Sequence, residues 1–419
     1  MPRGRLIALI CMLFLAAGCG GQSIISDESS VARLNQNEKV EIEFWHTYSD
    51  EETRILEDQI LPAFEKAHPD IRVRPVRQYN NAELKYTLIS KASANRSPDV
   101  VRMDIAWVSE FAQSGLLLPL SDNDDFDDVT KSLQSNTGSA GYFAGAHYSL
   151  PVNMNTKVAI FSRELLEKSG LSKPPAAFQE VIELARKEGY KIGMSGLEAW
   201  KSLPYVYALG GRMTDEAYTR ATGYLNGEGT VKAVELLLSL YKERLIDGAV
   251  INGGADLWED VKTGKLLVMD DGPWFYSVFQ GEELERAVRS TVAVPFFPAF
   301  GPASILGGED LVIPRGSKYP KQAWAFMKWM IGKDAQVAMS RTGLIPTNVE
   351  AKEMKARGES FIPPFTEALE HTFLRPPVKE WSAMDKIYTG YMTQIFQGKL
   401  SAKDGLTKAA AEIDLLLAG

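Results

Sequence analysis

From Val40 to Met103 the chain reads strand, helix, strand, helix, strand, and few topologies accommodate that order. Val40-Glu41-Ile42-Glu43-Phe44-Trp45 alternates as a half-buried strand does. Ser49 or Asp50 can cap a helix with Glu51 and Glu52 in its first turn and Ile55, Ile60, Leu61 and Phe64 along its apolar side. Asp70–Val76 is a second strand, Ala82–Ala94 a second helix and Asp99–Met103 a third strand. Consecutive strands joined through a helix lie parallel, with right-handed crossovers. The fold class is therefore α/β. The strand ends also share a character. His46 and Tyr48 follow the first and Asp104 and Trp107 the third, so one sheet edge gathers rings and hydrogen-bonding groups. Ligands of open α/β sheets bind at that carboxyl edge.

A similar strand end lies far downstream. Leu266–Met269 is a short apolar run, and Asp270-Asp271-Gly272-Pro273 is a dense turn signal. Pro273 suits the first turn of a helix, which throws Trp274 out at the carboxyl end of the strand. A lone tryptophan is usually well buried, so its reading as a ligand platform rests on the rest of the chain.

At 419 residues the chain is too long for one ordinary core and implies two domains. Leu150–Thr156 reads as a linking strand. Helices near Arg163–Ser169, Ala177–Glu188 and Thr230–Glu243, with a strand at Tyr190–Met194, build the second domain. Pro-rich Val294–Pro302 crosses back to a strand at Asp310–Pro314. In the amphipathic helix Tyr319–Gly332, Trp324 and Trp329 read as core. Helices Ser382–Gln397 and Ala402–Leu417 close the chain.

The net charge of −8 argues against a nucleic-acid partner or an anionic membrane surface, which want a basic face. The two cysteines, Cys11 and Cys19, both precede residue 20, leaving none for a disulfide, a metal site or a thiol nucleophile in the body. The four histidines lack metal-ligating spacing, so neither metal nor cofactor is expected. Acid-rich Ser121–Asp128 fails the calcium-loop pattern, with no glycine at its sixth place and no acid at its twelfth. It reads as a solvated loop.

Residues 1–18 read as a signal peptide, with Arg3 and Arg5 ahead of the twelve-residue apolar run Leu6–Ala17, too short to span a bilayer. Leu15-Ala16-Ala17-Gly18-Cys19 resembles the lipobox of bacterial lipoproteins, although the leucine usual three places before the cysteine is Ala16 here. The resemblance implies lipidation at Cys19. Polar, aperiodic residues 19–38 then form a flexible tether.

Five further stretches, in order, are similar to bacterial extracellular solute-binding protein family 1, the maltose-binding-type sugar-binding lipoproteins of ABC transporters. They are Ser97-Pro98-Asp99-Val100 with Gly115–Leu120, Pro151–Thr156, Gly264–Trp274, Gly307–Lys318 with Ala323-Trp324, and Thr342–Thr347. The resemblance implies a two-lobed, type II-like periplasmic-binding-protein fold, each lobe a mainly parallel sheet flanked by helices, joined by hinge strands. The first lobe would take residues 39–151 and 302–350, and the second 152–301 and 351–419. It implies an extracytoplasmic, monomeric protein that touches the membrane only through its lipid and delivers a carbohydrate to ABC transporter permease subunits. Sugars present apolar faces to rings and a belt of hydroxyls to polar groups. By similarity Trp274 is the stacking platform and Trp200 a second ring. Asp104 and Trp107 form one binding loop, and Trp45, His46 and Tyr48 another. Asn153, Gly308 and Glu309 sit where the chain crosses between lobes, and Arg341 and Arg375 are candidate donors. Trp45, if it continues the strand's alternation, is core instead. The competing classes are a secreted carbohydrate-active enzyme, which needs two carboxylates that no motif singles out, and a binding protein for another solute such as a polyamine.

Overall fold

The computed structural model describes residues 39–79, 82–134, 141–355 and 361–418. The expected signal peptide, Cys19 and the tether of residues 19–38 lie outside them. Two sheets organise the chain. The first holds strands β1 (Val40–His46), β2 (Ile71–Arg77), β3 (Val100–Asp104), β4 (Leu150–Asn155), β9 (Gly307–Val312) and β10 (Ile345–Pro346), in the order β10-β4-β9-β3-β1-β2. The second holds β5 (Val158–Ser162), β6 (Lys191–Gly193), β7 (Leu266–Asp271) and β8 (Thr291–Pro295), in the order β8-β5-β7-β6.

The expected βαβαβ start is present: β1 pairs in parallel with both β2 and β3. The sheets are not mainly parallel, however. β9 runs antiparallel to β3 and β4, and β10 antiparallel to β4. In the second sheet β5 is antiparallel to β7 and β8, and β6 pairs with β7 in parallel. Parallel pairing follows where a helix crossover joins two neighbours. β4 leaves its sheet for the other lobe and β9 returns from there, so no crossover dictates their direction.

Helix α1 (Asp50–Ile55) starts on a capping box. The Ser49 hydroxyl accepts from the Glu52 amide at 3.3 Å, and the Glu52 carboxylate accepts from the Ser49 amide at 2.7 Å. β1 sends Ile42 and Phe44 to one face, into a core with Phe64 and Phe326, whose ring meets Phe44 edge-on at 5.1 Å. It sends Trp45 to the other face, into a core with Leu84 and Leu88 of α2 (Ala82–Ser93) and Val108 and Phe111 of α3 (Ile105–Gln113). The second lobe packs Phe161, Phe178, Tyr205 of α4 (Ala199–Ala208), Phe296 and Phe297 into one core. That core also takes Trp381, Met384 and Tyr388 of α6 (Trp381–Phe396) and the inner side of Ala402–Leu417. The short helix α5 (Trp274–Ser277) follows β7 directly after Gly272-Pro273.

Two of the connections between the lobes run side by side, Thr156-Lys157 between β4 and β5 and Phe296–Leu306 between β8 and β9. The buried Thr156 hydroxyl donates to the Ile305 carbonyl at 2.9 Å, and the buried Ser304 hydroxyl donates to the Lys157 carbonyl. In the acid-rich loop, Asp125 accepts from Trp324 Nε1 at 2.7 Å and pairs with Lys328 at 2.5 Å, which makes it a structural anchor.

Candidate functional site

The site is built at the carboxyl ends of β1, β2 and β3 facing α5. Arg102 projects from the middle of β3 and is 3% exposed. It donates to Thr47 Oγ1 at 2.7 Å, Asn153 Oδ1 at 2.9 Å and Glu309 Oε2 at 2.8 Å, and its guanidinium lies 4.3 Å from the Tyr48 ring centre. Asn153 Nδ2 donates to the same Glu309 oxygen at 2.6 Å. A buried charge persists only when paired and hydrogen-bonded, and Glu309 and Asn153 supply that for the Arg102 Nη2, while its buried Nε has no hydrogen-bond partner among the described residues. Burial raises the Glu309 carboxyl above its ordinary range, against the pull of Arg102. Behind them His46 is buried, its ring centre 5.2 Å from that of Tyr48. Burial, with Arg102 and Arg77 beside it, lowers His46 to about 3, so its imidazole is neutral at physiological pH.

Across the cleft, Trp274 is half-buried, its ring centre 6.5 Å from that of Trp200 at 32° between planes. Glycines make room for both rings. A Cβ added at Gly272 would fall 2.3 Å from the Trp274 ring, and one at Gly307 would fall 2.7 Å from Trp200. Below the rings, Lys157 and Asp270 form a buried pair at 2.5 Å, and the Tyr205 hydroxyl lies 2.7 Å from the other Asp270 oxygen. The Lys157 ammonium is also 5.5 Å from the Trp200 ring centre.

A cavity of about 250 Å³ lies between these walls. Thr47, Tyr48, Glu52, Arg77, Arg102 and Glu309 line it from the first lobe and Trp274 from the second. A larger depression of about 600 Å³, beside His68 and Trp329, contains none of these groups.

Trp274, Tyr48 and Glu309 thus line the cavity, and Trp200, Asn153, His46 and Gly308 stand against or beside its walls. Asp104 and Arg375 instead pair with each other at 2.8 Å. Three residues stand elsewhere. Trp45 is 6% exposed in the core and donates its Nε1 to Glu43, because the alternation of β1 turns it away from Phe44. Trp107 lies on α3, part-buried against that same core. Arg341, at the end of helix Lys333–Ser340, is exposed and does not line the cavity. Trp258, unassigned in sequence, donates to Asp271 Oδ2 at 2.6 Å and steadies the turn before Trp274. Sequence reasoning missed Arg102 and Lys157. Arg102 interrupts an apolar strand, in Val-Val-Arg-Met, and Lys157 directly precedes one, in Thr-Lys-Val-Ala, and a buried lysine or arginine in such a place is rare unless paired.

Comparison with known proteins yields consistent relatives. A binding protein of Brucella abortus (strain 2308) is 26% identical over 373 residues, 86% of this chain and 89% of its own. The maltotriose-binding protein of Pyrococcus abyssi is 21% identical over 351 residues, covering 81% of this chain and 74% of its own. Among solved structures, the GacH receptor of Streptomyces glaucescens GLA.O, studied unliganded and with acarbose, superposes with a TM-score of 0.78 at 25% identity. That match covers 91% of this chain and 99% of the receptor. The family profile of the bacterial extracellular solute-binding proteins matches residues 59–361, well over half of the sequence, and the chain belongs to that family.

Proposed function

We propose that this protein captures a sugar or oligosaccharide between its lobes and delivers it to the permease of an ABC importer. One observation carries the reading: Trp274 faces, across a small cavity, the hydrogen-bonding group of Arg102, Thr47 and Glu309. A ring opposite fixed polar groups suits a ligand with an apolar face and a belt of hydroxyls. Relatives that bind maltotriose or acarbose support it. Hinges near Pro151–Thr156 and Val294–Pro302 would let the lobes close, and ligand would favour closure through contacts it makes better in the closed form. The residue assignments are part of the proposal: Trp274 stacks, Tyr48 and Glu52 line the first lobe's wall, and Arg102 orients Glu309. The relatives are binding proteins, and Glu309 and Glu52 are already engaged, by Arg102 and Asn153 and by the Ser49 amide. That favours capture over hydrolysis, which needs an available pair of carboxyls. We place the protein outside the cytoplasm as a monomer, held to the membrane by lipid on Cys19.

A thermal-shift screen of sugars, polyamines and divalent metals, with product analysis of each sugar, tests the function. A shift with intact sugars is expected. A shift with polyamines alone, or cleavage of a sugar, would replace this reading with one of its competitors.

A further inference from the structure

Similarity puts Asp104 in a binding loop and makes Arg375 a candidate donor, but the structure joins them to each other. Asp104 ends β3 in the first lobe and caps α3, accepting from the Ala106 amide at 2.8 Å. Arg375 belongs to the second lobe. Its segment is fixed on one side by Phe373, stacked on Tyr207 at 3.9 Å, and on the other by buried Trp381. Arg375 Nη2 lies 2.8 Å from Asp104 Oδ1, with the side chains 10% and 22% exposed. Further along α3 a second contact crosses between the lobes, through a hydroxyl. Glu110 pairs with Lys85 of α2 and accepts from the Ser382 hydroxyl of α6 at 3.0 Å, and Lys85 also donates to Ser382. Ala106, between the two contacts, packs against the core of the second lobe. Asp104 and Glu110 are six residues apart on the helix, about 9 Å at 1.5 Å per residue. Arg375 and Ser382 are seven apart on the opposing chain. Helix α3 therefore lies along residues 375–382 as one seam between the lobes.

The chemistry of this seam is that of a contact that opens and closes. Its ends are an ion pair between the lobes, Asp104–Arg375, and a hydroxyl of the second lobe, Ser382, shared with the Lys85–Glu110 pair of the first; water can solvate these groups when the lobes part, unlike a permanent apolar interface. Within it each charge depends on its partner, because an unpaired charge in a partly buried site is costly. The Arg375 guanidinium also lies 5.2 Å from the Trp200 ring centre, so the seam reaches the ring that stands against Trp274.

We propose that this seam is an interlobe clasp and that Arg375 is a positioning residue. It pairs with Asp104 to hold the lobes at their closed spacing and steadies Trp200, and it does not donate to the ligand. The competing role is a ligand contact through Arg375 Nε, which is buried and has no hydrogen-bond partner among the described residues.

The test begins without ligand and so is independent of the sugar reading. Small-angle scattering is measured for the wild type, Arg375→Ala, Arg375→Lys and Lys85→Met, each first shown to be folded by circular dichroism. The radius of gyration of Arg375→Ala and of Lys85→Met should exceed the wild-type value by a few per cent of the ~21 Å expected for a compact chain of this size. Arg375→Lys, which keeps the charge, should fall between. Equal radii for wild type and both disrupting variants would overturn the clasp. Lys85→Met keeps it open to refutation if Arg375→Ala does not fold. The second arm rests on the proposed function and uses whichever sugars shift the melting of the wild type. Arg375→Ala should weaken all of them by a similar factor, roughly tenfold, as a lost closure contact would. Losses that differ widely from sugar to sugar, with an unchanged ligand-free radius, would make Arg375 a ligand contact instead.

Discussion

Arg102, Glu309 and Asp310 are charged or chargeable groups within the first sheet, and each is tolerated there for a different reason. Arg102 and Glu309 neutralise one another. Asp310 pairs with no cation among the described residues. Its carboxyl is buried against the Ser149 hydroxyl, and burial raises it from 3.8 to about 7, with Glu309 and Asp104 adding to the rise. The sign of the consequence is fixed. Below pH about 4 the folded and unfolded chains both hold this proton. Between about 4 and 7 the folded state alone holds it, so stability falls as pH rises through that window, by about 1.4 kcal/mol for each step of one in pH. Asp310→Asn should remove that slope. Denaturant melts at pH 4 and pH 8 should show the variant gaining on the wild type, on the order of 2–4 kcal/mol, at the higher pH. The same difference at both pH values would mean that Asp310 ionises normally. None of this was legible in Gly-Glu-Asp-Leu, where Glu309 read as a re-entry residue and Asp310 as the start of a strand. Trp45 shows a different case: similarity put it in a binding loop, and the alternative of a core residue is the one the structure shows.

At the scale of elements, the order of strands and helices could be read from the sequence because it depends on local period and turn chemistry. The direction of β9 and β10 could not, since both pair with strands distant in sequence. Gly308 shows what such pairing demands. Its φ of +146° is open to glycine, an added Cβ would fall 2.5 Å from the Asn153 carbonyl oxygen, and the register shifts between Glu309 and Asp310 just beyond it. The strand before Trp274 also outran its sequence bounds. Asp270 and Asp271 read as turn but belong to β7, held by Lys157 and Trp258, which a sequence window does not see. The amino-terminal segment rests on sequence alone. If Cys19 carries the lipid, Cys19→Ser should move the protein from the membrane fraction to the soluble extracytoplasmic fraction. A variant that stays membrane-bound, with no lipid on the wild type, would refute the anchor.

For the whole molecule, two lobes are joined by adjacent connections and meet around one small cavity, with a polar seam along α3. Length and the returning chain made the two-lobed plan legible, but the interlobe contacts of Asp104, Glu110, Arg375 and Ser382 came only with the fold. The central claim is that a sugar is held between the lobes against Trp274, and its most direct test is a calorimetric titration of wild type and Trp274→Ala with the sugar giving the largest thermal shift. A denaturant melt of each without ligand accompanies it. If the ring is a platform, truncation should cost ~2 kcal/mol of binding, roughly thirtyfold in Kd, with little loss of stability. A loss of about 3–5 kcal/mol in stability with near-normal affinity would make Trp274 a core residue and contradict the site.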